Sequence, residues 1–325
     1  MAAAVHIRIL AGLLLTLVSV NAISPADAQS PAPEAHAGQE PITPIPPPRA
    51  QDPQRLLLGE RLFSDRRLSH DNTHSCSSCH DIATNGASAS VHDTPEGQPM
   101  ALNTPTVFNV SLSFRLNWEG NVRSLEEGVG NSLRNPAIMA SSAGEVVSKL
   151  RADPDMARQF RDAYGREPDV VSVLDAIATY ERSLLTPNSR FDRWLAGEAD
   201  AITAEELSGY QVFKSLGCVT CHQGVNVGGN LFQRHGIFHP LGSPEPVLLR
   251  VPSLRNVATT APYFHDGSAP TLAEAVKAMG MAQLDRVLTD EQIAAIVAFL
   301  NTLTGTYRDR ALRPAAVPHA GSAIP

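Results

Sequence analysis

The feature that most constrains this chain is a short motif that occurs twice. The four cysteines lie in Cys76-Ser77-Ser78-Cys79-His80 and Cys218-Val219-Thr220-Cys221-His222, with none left over. Two thiols three positions apart can reach the two vinyl groups of one haem. The adjacent histidine then lies under the iron as a neutral imidazole ligand, which is the spacing of c-type haem attachment. Structural zinc would use the same cysteines, and so would a disulfide across each pair in an exported protein. A thioredoxin-like pair would need a βαβ context, which is absent. Both motifs end in histidine and both sit in repeated sequence, which favours two covalently bound haem c groups.

The repeat runs well beyond the motifs. At an offset of 147, Pro105 meets Pro252, Asn109 meets Asn256, Trp118 meets His265, Gly120 meets Gly267 and Leu125 meets Leu272. Farther on, Ile177, Tyr180 and Leu184 match Ile296, Phe299 and Leu303 at an offset of 119, so the first half holds about 28 extra residues between roughly 130 and 176. Upstream, Gly59 and Phe63 echo Gly209 and Phe213. The chain reads as two versions of one small helical domain. Helices are expected over Gln54–Phe63, Leu125–Val129, Ala143–Leu150, Pro154–Tyr164, Val170–Leu185, Ala204–Leu216, Leu272–Met279 and Asp290–Leu303. Thr203 and Thr289 precede Glu206 and Gln292 by three, as capping boxes do. No run alternates as a strand would, so the fold class is all-α with long loops. The expected segments are 1–28 signal peptide, 29–50 Pro-rich disordered linker, 51–190 first domain, 191–312 second domain and 313–325 disordered tail.

Composition narrows the setting. Of 325 residues, 43% are apolar, enough for buried cores and too many for a disordered chain. A net charge of −7 argues against a general nucleic-acid binder. The apolar stretch Ile9–Val20 follows Arg8 and precedes Ala26-Asp27-Ala28. It is too short to span a bilayer and reads as a secretory signal, a retained membrane anchor being the lesser reading. The mature chain is then exported and acidic, without a stable membrane span. Export suits c-type haem, which bacteria attach outside the cytoplasm.

The sixth iron position decides what such a haem does: a Met or His there makes an electron carrier, and an open position permits chemistry with small molecules. Met279 and Met281 are the candidates for the second haem. The repeat sets Ser132 opposite Met279, and serine is a poor ligand, so the two haems should differ. His92, in a Gly/Ser/Ala-rich loop after the first motif, is a candidate for a removable ligand of the first haem. His70 and His74 compete with it.

At these residues the chain resembles the bacterial dihaem cytochrome c peroxidase family, which includes the dihaem enzyme that matures the cofactor of methylamine dehydrogenase. The resemblance runs from about Leu57 to Gly305. It is carried by Leu62-Phe63-Ser64-Asp65-Arg66-Arg67-Leu68-Ser69, Asn103-Thr104-Pro105-Thr106-Val107 and Leu185-Thr186-Pro187-Asn188-Ser189-Arg190-Phe191-Asp192. Gly224-Val225-Asn226-Val227-Gly228-Gly229, Val251-Pro252-Ser253-Leu254-Arg255-Asn256-Val257 and Thr260-Ala261-Pro262-Tyr263-Phe264-His265 continue it. It implies two cytochrome c-like helical domains with one c-type haem each, attached at Cys76, Cys79, Cys218 and Cys221. His80 and His222 are then the proximal ligands, Met279 the axial ligand of the electron-accepting haem, and His92 the ligand that leaves the peroxide-reacting haem. Trp118 matches the electron relay between the haems. Asn103, Thr260 and Pro262 match a calcium site at the domain interface, whose oxygen ligands suit that ion. The implied activity is periplasmic reduction of hydrogen peroxide to water, with electrons from a small cytochrome c or cupredoxin, in a homodimer.

One departure stands out. The family's peroxide-cleaving glutamate sits in a segment shaped Asn-Pro-x-Glu-Met, whereas this chain reads Asn135-Pro136-Ala137-Ile138-Met139. Isoleucine cannot move the proton between peroxide oxygens, and losing such a group typically costs about 10²–10⁴ in rate. Glu126 and Glu127 are the nearby carboxylates that could substitute. The alternative reading is therefore a dihaem electron carrier, or an oxidant of a partner protein, without efficient peroxide turnover.

Overall fold

Most helices of this protein begin at a side chain that satisfies the free amides of the first turn. The computed structural model describes residues 39–88, 102–241 and 247–315. Among these the helices are α1 (Pro53–Phe63), α2 (Leu125–Arg134), α3 (Ala143–Arg151), α4 (Pro154–Tyr164), α5 (Val170–Ser183), α6 (Arg190–Leu195), α7 (Ala204–Ser215), α8 (Leu272–Leu284) and α9 (Asp290–Asn301). Asp52 accepts the amides of Gln54 and Arg55 ahead of Pro53, a residue suited to a first turn that lacks acceptors for its amides. Thr203 and Glu206 form the expected capping box at α7, and Thr289 and Gln292 form it at α9. Two antiparallel hairpins, β1 (Phe232–Arg234) with β2 (Leu248–Arg250) and β3 (Thr306–Tyr307) with β4 (Arg310–Ala311), are too short for an alternating pattern to show in the sequence. α6 is likewise too short to carry a period, though Ser189 and Asp192 box its start. No helix among the described residues is long and apolar enough to cross a membrane.

The duplication is visible atom by atom. α1 crosses α5 so closely that a β-carbon at Gly59 would lie 2.0 Å from the carbonyl oxygen of Ala176. α7 crosses α9 in the same way, and a β-carbon at Gly209 would lie 1.9 Å from the carbonyl oxygen of Ala295. Asn109 and Asn256 both sit at φ 61°. Their amides donate to the carbonyls of Leu184 and Leu303, and their Oδ1 atoms accept the amides of Thr186 and Gly305 at 2.9 and 3.0 Å. The isolated bridge Leu116–Val122 recurs as Tyr263–Ala269. The extra residues of the first half are α3 and α4, which pack Val146, Leu150, Met156 and Phe160 into its core.

Each half has its own core, and the chain ends cross between them. Tyr307 and Leu312, near the C-terminal end, belong to the core built from α1 to α5. Ile42 belongs to the core built from α6 to α9. Contrary to the expectation of a disordered linker over 29–50, Ile42 and Ile45 are buried. An extended proline-rich segment can dock a side chain without forming a helix, and here Ile42 bridges Gly224 in parallel. Glu40 accepts from Tyr210 Oη at 2.7 Å and Lys214 Nζ at 2.9 Å. Beneath this segment Arg255 Nη1 pairs with Asp192 Oδ1 at 2.8 Å, both side chains buried, while Arg255 Nη2 donates to the carbonyl of Thr43 at 2.8 Å.

A buried pair that loses one partner leaves an uncompensated charge, at a cost of about 3–5 kcal/mol. Arg255→Leu is therefore expected to lower the unfolding free energy of the haem-loaded protein by about that amount. Denaturant titration checks this, and an unchanged midpoint would show that Asp192 finds another partner.

Candidate haem sites

Both cysteine motifs close into a single tight turn. His80 N–H donates to the Cys76 carbonyl at 2.9 Å, and His222 N–H donates to the Cys218 carbonyl at 3.0 Å. In each half this gathers two thiols and one imidazole on one turn. All four cysteines are half-buried thiols outside any disulfide. Among the described residues no three or more His, Cys, Asp or Glu side chains converge as a metal cage would require. Nδ1 of His80 lies 3.0 Å from the Gly86 carbonyl, and Nδ1 of His222 lies 3.2 Å from the Val227 carbonyl. A carbonyl can only accept, so each Nδ1 carries the proton and each Nε2 keeps its lone pair for a metal. Desolvation lowers both histidines, His222 to about 4, which keeps them neutral at pH 7.

Over the second motif lies a mainly apolar cavity of about 500 Å³, walled by His222, Met279, Ile296 and Leu300 among others. α8 runs on to Leu284, so Met279 lies within the helix and not after it. Met279 lines the cavity; Met281 does not. Unpartnered polar atoms are concentrated around this space. Both ring nitrogens of His265, Nδ1 of His235 and Oδ1 of Asn226 are buried without a hydrogen bond, although such groups ordinarily find a partner. The His235 and His265 rings are 4.3 Å apart, and desolvation lowers both, His235 to about 4. Neutral imidazoles offer N–H donors. A flat apolar ring bearing two carboxylates would suit this site, since the walls are mainly apolar and the orphaned imidazole nitrogens of His235 and His265 could donate to acid groups.

Trp118 belongs to the first half yet lines the second cavity. Its Nε1 donates to the Asn103 carbonyl at 2.8 Å, and its own carbonyl accepts the Arg250 amide at 2.7 Å. Asn103, Thr260 and Pro262 are brought together beside it. Asn103 Nδ2 donates to the Pro262 carbonyl at 2.8 Å, while Asn103 Oδ1 is buried without a partner.

The other candidates of the first site are placed differently. His92 lies outside the described residues. His70 is exposed and bonded to Glu145 at 3.0 Å, and His74 Nδ1 meets Thr73 Oγ1. Ile138 packs half-buried against the first core beside buried Met139. The two nearby glutamates are engaged: Glu126 with Arg182, and Glu127 as acceptor of the Arg123 amide at 2.7 Å. Sequence reasoning passed over His235, His265 and buried Arg250. For His265 a signal existed, since the repeat sets it opposite Trp118.

Comparison with known proteins agrees with this geometry. The family described as di-haem cytochrome c peroxidase matches residues 53–200, and that described as cytochrome c matches residues 207–304. Cytochrome c551 peroxidase of Nitrosomonas europaea is 37% identical over 84% of this chain and 86% of its own. Cytochrome c551 peroxidase of Pseudomonas aeruginosa is 35% identical over 78% of this chain and 79% of its own. The solved structure of a MauG-like protein associated with microbial copper homeostasis superposes with a TM-score of 0.70 at 28% identity, covering 80% of this chain and 93% of that one. With two haem c attachment turns in two cytochrome c-like halves, the chain belongs to the di-haem cytochrome c peroxidase family and is a peroxidase-like enzyme.

Proposed function

We propose that this enzyme reduces hydrogen peroxide to water outside the cytoplasm, drawing electrons from a small cytochrome c or cupredoxin. The observation that carries this reading is one scaffold built twice with different walls: Met279 stands in the second cavity, and its repeat partner Ser132 is exposed on α2. Haem bound at the two motifs supplies one-electron redox chemistry. Cys76 and Cys79 hold the first group and Cys218 and Cys221 the second. His80 and His222, each fixed by its Nδ1–H bond, present Nε2. Met279 occupies the second site's wall, where a thioether ligand raises the potential and suits electron acceptance. Trp118 reaches from the first half to the second cavity, which suits a relay. His92 is the proposed removable ligand of the first site.

Calcium is proposed beside Trp118. Turning the Asn103 amide over would set Oδ1 next to the Pro262 carbonyl, and with the Thr260 carbonyl this makes an oxygen set of the kind calcium takes. The export signal at 1–28, which would carry the chain to the periplasm, lies outside the described residues. A homodimer is proposed from the family resemblance alone.

Ile138 favours the alternative reading, an electron carrier or an oxidant of a partner protein, because its side chain packs on an apolar core and offers no proton path. The deciding experiment is peroxide consumption by half-reduced, calcium-loaded dihaem protein with reduced cytochrome c as donor. Turnover supports the peroxidase; its absence with both haems intact by spectrum leaves the alternative. If proton movement limits the rate, Ile138→Glu is expected to raise kcat by as much as about 10²–10⁴. A variant no faster than wild type would assign that step to another group. Met279→His is expected to keep the second haem six-coordinate and lower its midpoint potential, as read by spectroelectrochemistry. An unshifted potential would remove Met279 from the iron.

A further inference from the structure

The two halves also differ at a position that no role above uses, half-buried in the first half and buried in the second. Gly59, Ala176 and Tyr180 superpose in role on Gly209, Ala295 and Phe299, since the glycine β-carbon position approaches the same carbonyl and the same ring-bearing residue in both halves. The residue following Phe299 is Leu300, which is buried and lines the second haem cavity. The residue following Tyr180 is Glu181. By the duplicated crossing, the first half carries a carboxyl at the position where the second half has a cavity-lining leucine. Glu181 acts electrostatically on Cys76, a thiol of the first attachment motif, which places it beside that motif from the opposite direction of reasoning. Its side chain has no hydrogen-bond partner among the described residues.

We propose that Glu181 is the redox-linked proton acceptor of the first haem site: its carboxylate takes up one proton from solvent when that haem gains one electron, and releases the proton when the electron leaves. The charges balance, since the added electron is met by one added proton. The electron comes from the one-electron donor of the enzyme. Reduction of peroxide to two waters consumes two protons with its two electrons, so a proton stored with an electron serves that stoichiometry. The acceptor would also lie in the half where Ile138 has replaced a carboxyl.

The surroundings favour a poised group. Burial pushes the Glu181 carboxyl up to about 8; Arg182 on its own helix opposes this and Glu126 on α2 adds to it. Arg182 is shared with Glu126 and Asp175. On α1, Arg55 pairs with Asp175 and Glu60 with Arg308. On α3, Glu145 pairs with Lys149 and His70. Cys76 does not titrate once it is thioether-bonded. The sign follows. A carboxylate stabilises the oxidised haem, whose charge is more positive, so the carboxyl pKa is lower with the haem oxidised and higher with it reduced. Between those two values the midpoint falls as pH rises, and outside them it is level.

The test is spectroelectrochemistry of the full-length dihaem protein from about pH 6 to about pH 10. In wild type the first-haem midpoint is expected to fall across part of that window by up to about 59 mV per pH unit, the value of a tenfold change for one electron. Glu181→Gln should remove the slope and raise the midpoint on the alkaline side. A level wild-type midpoint, or an unchanged slope in the variant, overturns the proposal. Haem spectra report loading separately. Should Glu181→Gln load poorly, Glu181→Leu carries the residue native to the matched position. The reduced-minus-oxidised infrared spectrum of wild type supplies a readout needing no variant. A protonated-carboxyl band should appear on reduction, and its absence overturns the proposal.

Discussion

Everything in this molecule depends on two helix crossings with no room for a side chain. α1 lies against α5 at Gly59, and α7 against α9 at Gly209, each with a carbonyl where a β-carbon would otherwise stand. A side chain at either glycine would have to push the two helices apart. It fixes the register of each pair, so the residues following the crossing, Tyr180 and Phe299, must turn their rings onto Phe63 and Phe213. The cysteine turns are then held against the same helices, Cys76 on the first core and Cys218 on the second. Each half thus carries one such crossing and one cysteine turn on its own core.

Function arises where the copies diverge on that shared frame. Trp118 and His265 occupy matched loops, yet one carries an N–H bound to the Asn103 carbonyl and the other carries two nitrogens with no partner. Ser132 faces solvent where Met279 faces a cavity. Glu181 stands where Leu300 does. α3 and α4 thicken the first half only. The exchanged ends, Ile42 in the second core and Tyr307 in the first, tie the two halves so that neither core is complete without the other's sequence neighbours.

Much of this was legible in the residues. The motifs, the offset of 147 and the later offset of 119 locate both attachment turns, the paired helices and the inserted pair. Caps mark starts well because a Thr or Asp with a Glu or Gln three residues on satisfies specific amides. Ends are harder: α8 continues through Met279 and Met281 until Asp285 turns left-handed at φ 51°, and nothing local announces that. Ile42 between prolines has a linker's composition, and only the distant Arg255–Asp192 pair and Gly224 make it a core residue. His235 is invisible for a similar reason: its meaning comes from a contact with His265, thirty positions on in sequence.

Desolvation links the remaining polar features. Removing a group from water disfavours its charged form, so His80, His222, His235 and His265 are all lowered while Glu181 is raised. Desolvation therefore favours neutral imidazoles at both motifs and a neutral carboxyl at Glu181. A neutral imidazole can hold iron or donate to an acid group, and a neutral carboxyl near its titration point can exchange a proton. The same physical cause acts on both halves, with Met279 and Leu300 at the second cavity and Glu181 at the position matched to Leu300 in the first. The two copies of one domain thus differ in which side chain each sets against the same frame.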